Sequence, residues 1–143
     1  MRYWITFNEI NAGTMDLGAV LSTGCIKGQD GPVTEVRVDE ATRFQALHHQ
    51  FVASARAVIY AHEHYPQFVM GNMIAFAANY PLTPDPEDVL LAQESTNRFC
   101  WFCSDVQVKG EYPYYMKSYF RRKKIAIRME EGDEDLLKKG TVD

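Results

Sequence analysis

Two apolar runs of strand length, each followed by polar residues, constrain the fold of this sequence most strongly. The first, residues 3–7, is aromatic or β-branched throughout, and the second, residues 68–76, is mostly apolar. Continuous runs of this kind are typical of strands that are buried on both faces, as in parallel sheets. Within the second run, Gly71 predicts close packing against a neighbouring backbone. We therefore expect two buried strands of a parallel sheet.

A loop and a long helix separate the two strands. Residues 10–38 are rich in Gly, Ser, Thr and Asp and show no sustained period, which predicts a long loop. Asp39 is placed to cap the helix that follows, and Pro66 ends it. Apolar residues recur along this helix at three- and four-residue steps and predict one buried stripe. The stripe comprises Phe44, Leu47, Phe51, Val52, Ala55, Val58 and Ile59.

Three further helices are predicted after the second strand. Asp85 followed by Pro86 is a cap followed by a proline at the first helical position, and this helix extends to about Gly110. The other two are predicted at about 113–122 and 131–139, with Gly140 as a C-terminal cap. The resulting order is that of an α/β protein. Because two strands alone would leave open edges and bare apolar faces, the element count predicts a segment of a larger domain.

The composition argues against several classes of protein. The 143 residues are 46% hydrophobic and 24% charged, which fits one globular domain. A net charge of −4 argues against a nucleic-acid partner, which would normally bind a basic face. No apolar run approaches the ~20 residues needed to cross a membrane, and the first residues do not resemble a signal peptide. We expect a cytoplasmic protein with no nucleic-acid or membrane partner.

The cysteines and histidines predict neither a cofactor nor a metal. Cys100 and Cys103 form a CxxC pair several turns inside a predicted helix, whereas a redox pair should open a helix, where the dipole lowers the thiol pKa. A packed apolar patch is the favoured interpretation, with a thiol-redox role as the alternative. The histidines stand in pairs whose members do not share a helix face, so packing or surface positions are favoured over metal ligation. They are His48, His49, His62 and His64.

Asn8 and Glu9 directly follow the first strand. A carboxylate just beyond the carboxyl end of a buried parallel strand lies where α/β barrels build their active sites. From position alone, the plainer interpretation that these residues open a polar loop is favoured. The surrounding sequence instead favours an active-site role for these two residues.

The string YWITFNEIN at residues 3–11 closely resembles the fourth-strand motif of glycoside hydrolase family 1. Most of that family has proline after the glutamate, whereas Ile10-Asn11 is typical of the 6-phospho-β-glucosidase branch. The resemblance implies a partial (β/α)8 TIM-barrel segment, with two parallel strands and long helices, that does not close a barrel. All of residues 1–143 would form one segment of the catalytic domain, from barrel strand 4 to just before strand 6. The matching strings continue as ALHHQFVASA at 46–55, VMGNM at 69–73, YPLTPDPED at 80–88 and KGEYP at 109–113.

The resemblance implies a role for each of the two polar residues. Glu9 would be the general acid that protonates the leaving glycosidic oxygen, and then the base that activates water. Asn8 would donate a hydrogen bond to the sugar 2-hydroxyl. Both roles suit a retaining mechanism through an oxocarbenium-like transition state. The implied substrate is a phosphorylated β-glucoside, and no cofactor is implied.

The sequence departs from the family in what it lacks. A retaining glycosidase needs a second carboxylate about 5–5.5 Å from the first, and the Glu-Asn-Gly motif that supplies it in the family does not occur here. The residues that bind the 6-phosphate in the family also lie beyond this sequence. We therefore expect the chain to be inactive alone and to self-associate through exposed barrel surfaces. The alternatives are a non-catalytic self-associating or sugar-binding module and a fragment of a non-phospho β-glucosidase.

Overall fold

The computed structural model describes residues 1–26, 28 and 30–143. Its sheet consists of β1 (Tyr3–Ile5) and β2 (Val69–Gly71), which pair in parallel. Tyr3 lies opposite Val69, and Ile5 lies opposite Gly71. The remaining regular structure in the described part of the chain is helical. The predicted pair of parallel strands is therefore confirmed.

Both strands are shorter than predicted, and β1 is not buried. The chain bends at residues 6 and 7, and residues 72–81 continue from β2 without strand pairing. Tyr3 is 70% exposed and Ile5 is 50% exposed. A two-stranded sheet gives each strand a single neighbour, so apolar side chains on both faces stay in contact with water. The prediction for Gly71 was also wrong, because a Cβ there would meet Ile5 and Trp4 only at an ordinary 3.8 Å.

The predicted loop at 10–38 contains several helical turns. A 3-10 helix spans Ile10–Thr14, α1 spans Asp16–Gly18, a π-helical turn spans Ala19–Thr23, and a second 3-10 helix spans Val33–Glu35. Extended Met15 separates the first from α1, and the first three contact α2 (Glu40–His64) or one another. These short turns have no sequence period, because each is set by what it packs against rather than by a repeating apolar face.

The long helix α2 begins and ends close to where the sequence indicated. Asp39 caps it, with one carboxylate oxygen accepting from the Thr42 N–H at 2.9 Å and the other from the Thr42 hydroxyl at 2.6 Å. The helix ends at His64, two residues before Pro66. Of the predicted stripe, Val52 and Ile59 are half-buried and the other five residues are buried. The amphipathic pattern thus predicted the buried face of α2.

The second half of the chain contains four α-helices. The predicted helix after Asp85 forms as α3 (Pro86–Thr96), a π-helical turn (Asn97–Trp101) and α4 (Phe102–Lys109). The predicted helices near 113–122 and 131–139 form as α5 (Tyr114–Lys123) and α6 (Asp133–Lys139). The π-helical turn inside the long helix is a local irregularity that the sequence pattern did not indicate.

One apolar core lies between α2 and the helices α4, α5 and α6. Aromatic rings meet edge to face within it, with the Phe44 and Phe120 centroids 5.0 Å apart and those of Phe51 and Phe102 5.4 Å apart. Edge-to-face pairs of this kind are favourable beyond their area of burial. The core comprises Ile10, Phe44, Leu47, Phe51, Ala55, Phe102, Cys103, Val106, Tyr112, Met116, Tyr119, Phe120 and Leu137.

Two glycines allow α6 to pack closely on this core. A Cβ on Gly110 would lie 2.5 Å from the Lys138 Cα, and one on Gly140 would lie 2.5 Å from the Ala55 Cα. Gly140 occupies the C-cap position of α6 as predicted, but its φ is −99° rather than left-handed. The reason for glycine at position 140 is therefore close packing against α2 and not a positive φ.

Candidate active site

Glu9 lies in the turn that follows β1, at the edge of the sheet where both strands end. It precedes the 3-10 helix Ile10–Thr14 and has φ 46° and ψ 50°, in the left-handed region. A non-glycine residue pays about 1–2 kcal/mol for this conformation. Residues whose backbone is held in such a conformation cluster at functional sites. The backbone conformation of Glu9 is therefore an independent reason to consider this residue functional. Its side chain is half-buried, and Asn8 is exposed.

Backbone hydrogen bonds fix the residues on either side of the left-handed turn. The Ile10 N–H donates to the Met73 carbonyl at 3.3 Å, which joins the turn to the segment that follows β2. The Ala12 N–H donates to the Glu9 carbonyl at 2.8 Å and closes the first 3-10 turn. Ile10 itself is fully buried in the core. The chain immediately after Glu9 is therefore held by both packing and hydrogen bonds.

Asn11 joins three segments of the chain at this point. Its side chain is completely buried, and its Nδ2 donates to the Ala75 carbonyl at 2.8 Å and to the Phe99 carbonyl at 3.0 Å. Its Oδ1 accepts from the Ala75 N–H at 2.8 Å. The sequence indicated Asn11 only as a marker of a family branch. A buried amide is satisfied only when its partners lie in place, and no pattern in one sequence reveals those partners.

Three polar side chains, those of Thr6, Ser54 and Gln107, join the chain just after β1 to two helices. The Thr6 and Ser54 hydroxyls lie 2.7 Å apart, and the Gln107 Nε2 donates to the Ser54 hydroxyl at 2.9 Å. These contacts join the end of β1 to α2 and α4. The turn with Asn8 and Glu9 consequently lies between two fixed points, Thr6 before it and Asn11 after it.

The family match agrees with this geometry. The model of glycosyl hydrolase family 1 matches residues 1–143. The chain belongs to glycosyl hydrolase family 1. This confirms the resemblance on which the sequence interpretation of Glu9 depended.

Relatives within family 1 carry phospho-β-glucosidase names. The aryl-phospho-β-D-glucosidase BglH of Bacillus subtilis (strain 168) is 46% identical over 143 residues, which is all of this chain and 29% of that protein. The 6-phospho-β-glucosidase of Dickeya chrysanthemi is 44% identical over 143 residues, again all of this chain and 28% of that protein. The chain thus spans less than a third of the length of these relatives.

A solved family 1 structure shows which fold this segment shares. The GH1 β-glucosidase from Exiguobacterium antarcticum B7 superposes with a TM-score of 0.68 at 22% identity, covering all of this chain and 30% of that one. The family fold is a TIM barrel, of which this chain forms two parallel strands and their helices without closing. The predicted fold class is confirmed.

The other glutamates of this family 1 segment lie away from the strand ends. In the described residues, Glu9 is the one glutamate in the turn that follows β1, and residues 72–81 after β2 contain none. Glu40 contacts the Tyr119 hydroxyl and the Lys123 ammonium, and Glu63 contacts Lys139 at 3.0 Å. The remaining glutamates lie on helices or in exposed turns, at Glu35, Glu87, Glu94, Glu111, Glu130, Glu131 and Glu134.

Two clefts in the described part of the chain lie beside its helices. A cleft of about 770 Å³ lies between the turns after β1, the N-terminus of α2 and the C-terminus of α5. A second cleft of about 330 Å³ lies between α3 and α5. Neither Asn8 nor Glu9 lines these two clefts.

The histidines take structural positions. His48 is completely buried, with Nδ1 3.1 Å from the Tyr112 hydroxyl and Nε2 3.0 Å from the Asp133 carboxylate. Burial works to raise the pKa of Asp133, but hydrogen bonds from His48 and the Glu130 N–H outweigh it, so this pKa lies below its ordinary value. His49, His62 and His64 are exposed. Across residues 1–26, 28 and 30–143, no group of three or more His, Cys, Asp or Glu residues could hold a metal ion.

The CxxC cysteines are packed rather than accessible. Cys100 and Cys103 are both completely buried, and the Cys100 thiol donates to the Ala77 carbonyl at 3.3 Å. Burial raises the pKa of the Cys103 thiol far above its ordinary value. A thiol held in its neutral form is a poor nucleophile, so the packed interpretation is favoured over the redox one.

Among the helices that the structure describes, none is long and apolar enough to cross a membrane.

Proposed function

We propose that residues 1–143 are one segment of the barrel domain of a retaining 6-phospho-β-glucosidase, and that Glu9 is its catalytic acid and base. The observation that carries this proposal is the position of Glu9. It lies at the carboxyl end of β1 in a left-handed conformation, within a chain that is 46% identical to an aryl-phospho-β-D-glucosidase. The carboxyl ends of the strands are where barrel enzymes build their active sites.

Glu9 would act twice in the reaction. As an acid it protonates the glycosidic oxygen, because an alkoxide is a poor leaving group, and as a base it then removes a proton from the attacking water. Asn8, exposed beside it, would donate a hydrogen bond to the 2-hydroxyl of the sugar. That hydrogen bond strengthens as positive charge develops on the ring, so it lowers the barrier rather than only improving binding.

The nucleophile would come from outside these 143 residues. A retaining glycosidase places its two carboxylates about 5–5.5 Å apart. In the described part of the chain, Glu9 is the one glutamate in the turn after β1, and the segment after β2 contains none. The two-stranded sheet in the described part of the chain agrees with a site that needs further barrel strands. We therefore expect the 143-residue chain to be inactive alone.

The proposed substrate is a β-glucoside phosphorylated at the 6-position. The support is the names of two relatives. The relative at 46% identity is an aryl-phospho-β-D-glucosidase, and the relative at 44% identity is a 6-phospho-β-glucosidase. Part of this proposal is a location in the cytoplasm, which fractionation of cells would check. A non-phosphorylated β-glucoside is the competing substrate, and direct comparison of the two glucosides decides between them.

The test needs a complete barrel as well as the chain alone. Residues 1–143 can replace the matching segment of the Bacillus subtilis relative, and hydrolysis of an aryl β-glucoside and its 6-phosphate is then measured. We expect the chimera to cleave the 6-phosphate and the chain alone to cleave neither. Replacing Glu9 with Gln in the chimera should lower kcat/KM by about 10²–10⁴-fold, the usual contribution of a general acid.

The outcomes separate the parts of this proposal. Hydrolysis by the chain alone that is lost in Glu9→Gln would show that a nucleophile is present in these residues. Full activity of Glu9→Gln in the chimera would remove Glu9 from the mechanism. A preference of the chimera for the free glucoside would overturn the proposed substrate and leave the acid/base role intact.

A further inference from the structure

The left-handed backbone of Glu9 needs a structural cause, because this conformation is unfavourable for a residue other than glycine. Its φ is 46°, and no side chain caps the 3-10 helix that it precedes. A glutamate free to relax would leave this conformation for a more favourable one. The neighbouring residues must therefore hold it, and Asn11 has the contacts to do so.

The side-chain amide of Asn11 forms hydrogen bonds with both the N–H and the carbonyl of Ala75. Its Oδ1 accepts from the Ala75 N–H at 2.8 Å, and its Nδ2 donates to the Ala75 carbonyl at 2.8 Å. The side chain thus occupies the place of a neighbouring strand along the unpaired segment that follows β2. Because residues 72–81 have no strand partner, Asn11 supplies a hydrogen-bonded pair that the sheet does not.

The second donor of Asn11 reaches the π-helical turn. Nδ2 also donates to the Phe99 carbonyl at 3.0 Å, inside Asn97–Trp101. A π-helical turn disturbs the regular hydrogen bonding of a helix and is often found at functional sites. Here the turn presents a carbonyl to Asn11, so the irregularity between α3 and α4 is joined directly to the turn that contains Glu9.

We propose that Asn11 is the positioning residue of Glu9: its buried amide fixes the left-handed turn by joining it to Ala75 and Phe99. This inference depends on the proposed role of Glu9 and adds the residue that aims it. Asn11 itself does not touch the substrate. Its effect is on where the carboxyl group lies relative to the glycosidic oxygen, and a misplacement of about 1 Å costs about 10²-fold in rate.

The test compares leaving groups in the chimeric barrel. Asn11→Leu has nearly the same volume but removes all three hydrogen bonds, and Asn11→Asp keeps the acceptor while removing both donors. A misplaced acid slows substrates whose leaving group needs a proton, such as an alkyl 6-phospho-β-glucoside. It affects much less a dinitrophenyl 6-phospho-β-glucoside, because that leaving group departs as a stable anion. We expect about a 10²-fold loss of kcat/KM on the first substrate and a far smaller loss on the second.

The matched control is Asn72→Leu. Asn72 also joins the segment after β2 to α4, through one hydrogen bond from Nδ2 to the Ser104 hydroxyl at 3.0 Å, and this hydrogen bond does not involve the Glu9 turn. We expect its leaving-group dependence to match that of the unaltered chimera. An equal loss on both substrates in the Asn11 variants would mean that Asn11 only stabilises the fold, and would overturn the proposal.

A second measurement does not depend on activity. In the 143-residue chain, the backbone coupling constants and chemical shifts of Glu9 in nuclear magnetic resonance spectra report its φ. Asn11→Asp should shift them away from the left-handed values, whereas Asn72→Leu should leave them unchanged. Unchanged Glu9 signals in Asn11→Asp would overturn the positioning role even if Glu9→Gln abolishes hydrolysis. Full activity of Glu9→Gln beside shifted signals would instead overturn the proposed function alone.

Discussion

The helical core and the two-stranded sheet bury their apolar residues to very different extents. Phe44, Phe51 and Phe102 are each 1% exposed, whereas Tyr3 and Ile5 on β1 are 70% and 50% exposed. Both sets are large and apolar, so composition does not explain the difference. The helices pack against one another within this chain, while each strand has one neighbour.

The helix α3 behaves like the strands rather than like the other helices. None of its residues is buried, and Leu90 and Leu91 are 56% and 68% exposed. The far edge of β2 is also only partly paired, by the Asp143 N–H donating to the Met70 carbonyl at 2.8 Å. The molecule therefore combines a helical core whose apolar residues are buried with a second region, the open wall, that consists of β1, β2 and α3 and leaves apolar side chains exposed. Stability should depend on the first, and association on the second.

The largest expected effect is at the centre of the core. Phe102→Ala removes a completely enclosed ring that packs on Phe44 and Phe51, and should lower the free energy of unfolding by about 3–5 kcal/mol. Phe76→Ala, at a ring that is 60% exposed, is the matched control and should change it by about 0.5 kcal/mol. Urea unfolding followed by circular dichroism measures both. Similar losses in the two variants would contradict the division into core and open wall.

A smaller effect is expected at the polar group inside the core. Asp133→Asn replaces the charged partner of the buried His48 and should cost about 1–3 kcal/mol at neutral pH. The pKa of Asp133 lies below its ordinary value of 3.8, so its contribution to folding stability is fully present above that value and is lost as the pH falls below it. The variant should therefore lose less stability than the parent as the pH falls below the ordinary pKa of an aspartate.

Thermal unfolding across this pH range measures the difference. Asp39 is a suitable control, because its pKa is also lowered, mainly by the Thr42 hydroxyl, but it is an exposed helix cap. Asp39→Asn should retain capping and reduce the acid sensitivity only slightly. An identical acid response in the parent and Asp133→Asn would show that the link between His48 and Asp133 does not stabilise the folded state.

The smallest effect on stability, with a large effect on association, is expected in the sheet. Tyr3→Lys combined with Ile5→Lys places charges on one exposed face of β1 and should change the free energy of unfolding by less than about 0.5 kcal/mol. We expect the parent chain to self-associate and this variant to be monomeric in size-exclusion chromatography with light scattering. Val108→Lys, on an exposed position of α4, should associate like the parent. A monomeric parent at high concentration would contradict the association proposed for the open wall.

Much of the fold could be predicted because its signals are local. The cap at Asp39, the stripe on α2 and the Asp85-Pro86 start of α3 act within a few residues, and all three are confirmed. The helical turns at 10–23 and the π-helical turn at Asn97–Trp101 were missed. Their conformations depend on distant partners, such as the 64-residue separation between Asn11 and Ala75.

The amino-acid sequence by itself determined the helices, the two parallel strands, the family and the candidate residue Glu9. Capping residues, apolar periodicity and sequence motifs each depend on residues that are close together in the chain. Only the tertiary structure decided that β1 is exposed, that Gly140 permits close packing and that the Asn11 side chain binds two distant segments at once. Burial and buried hydrogen bonds are properties of what surrounds a side chain, and residues far apart in the chain supply those surroundings.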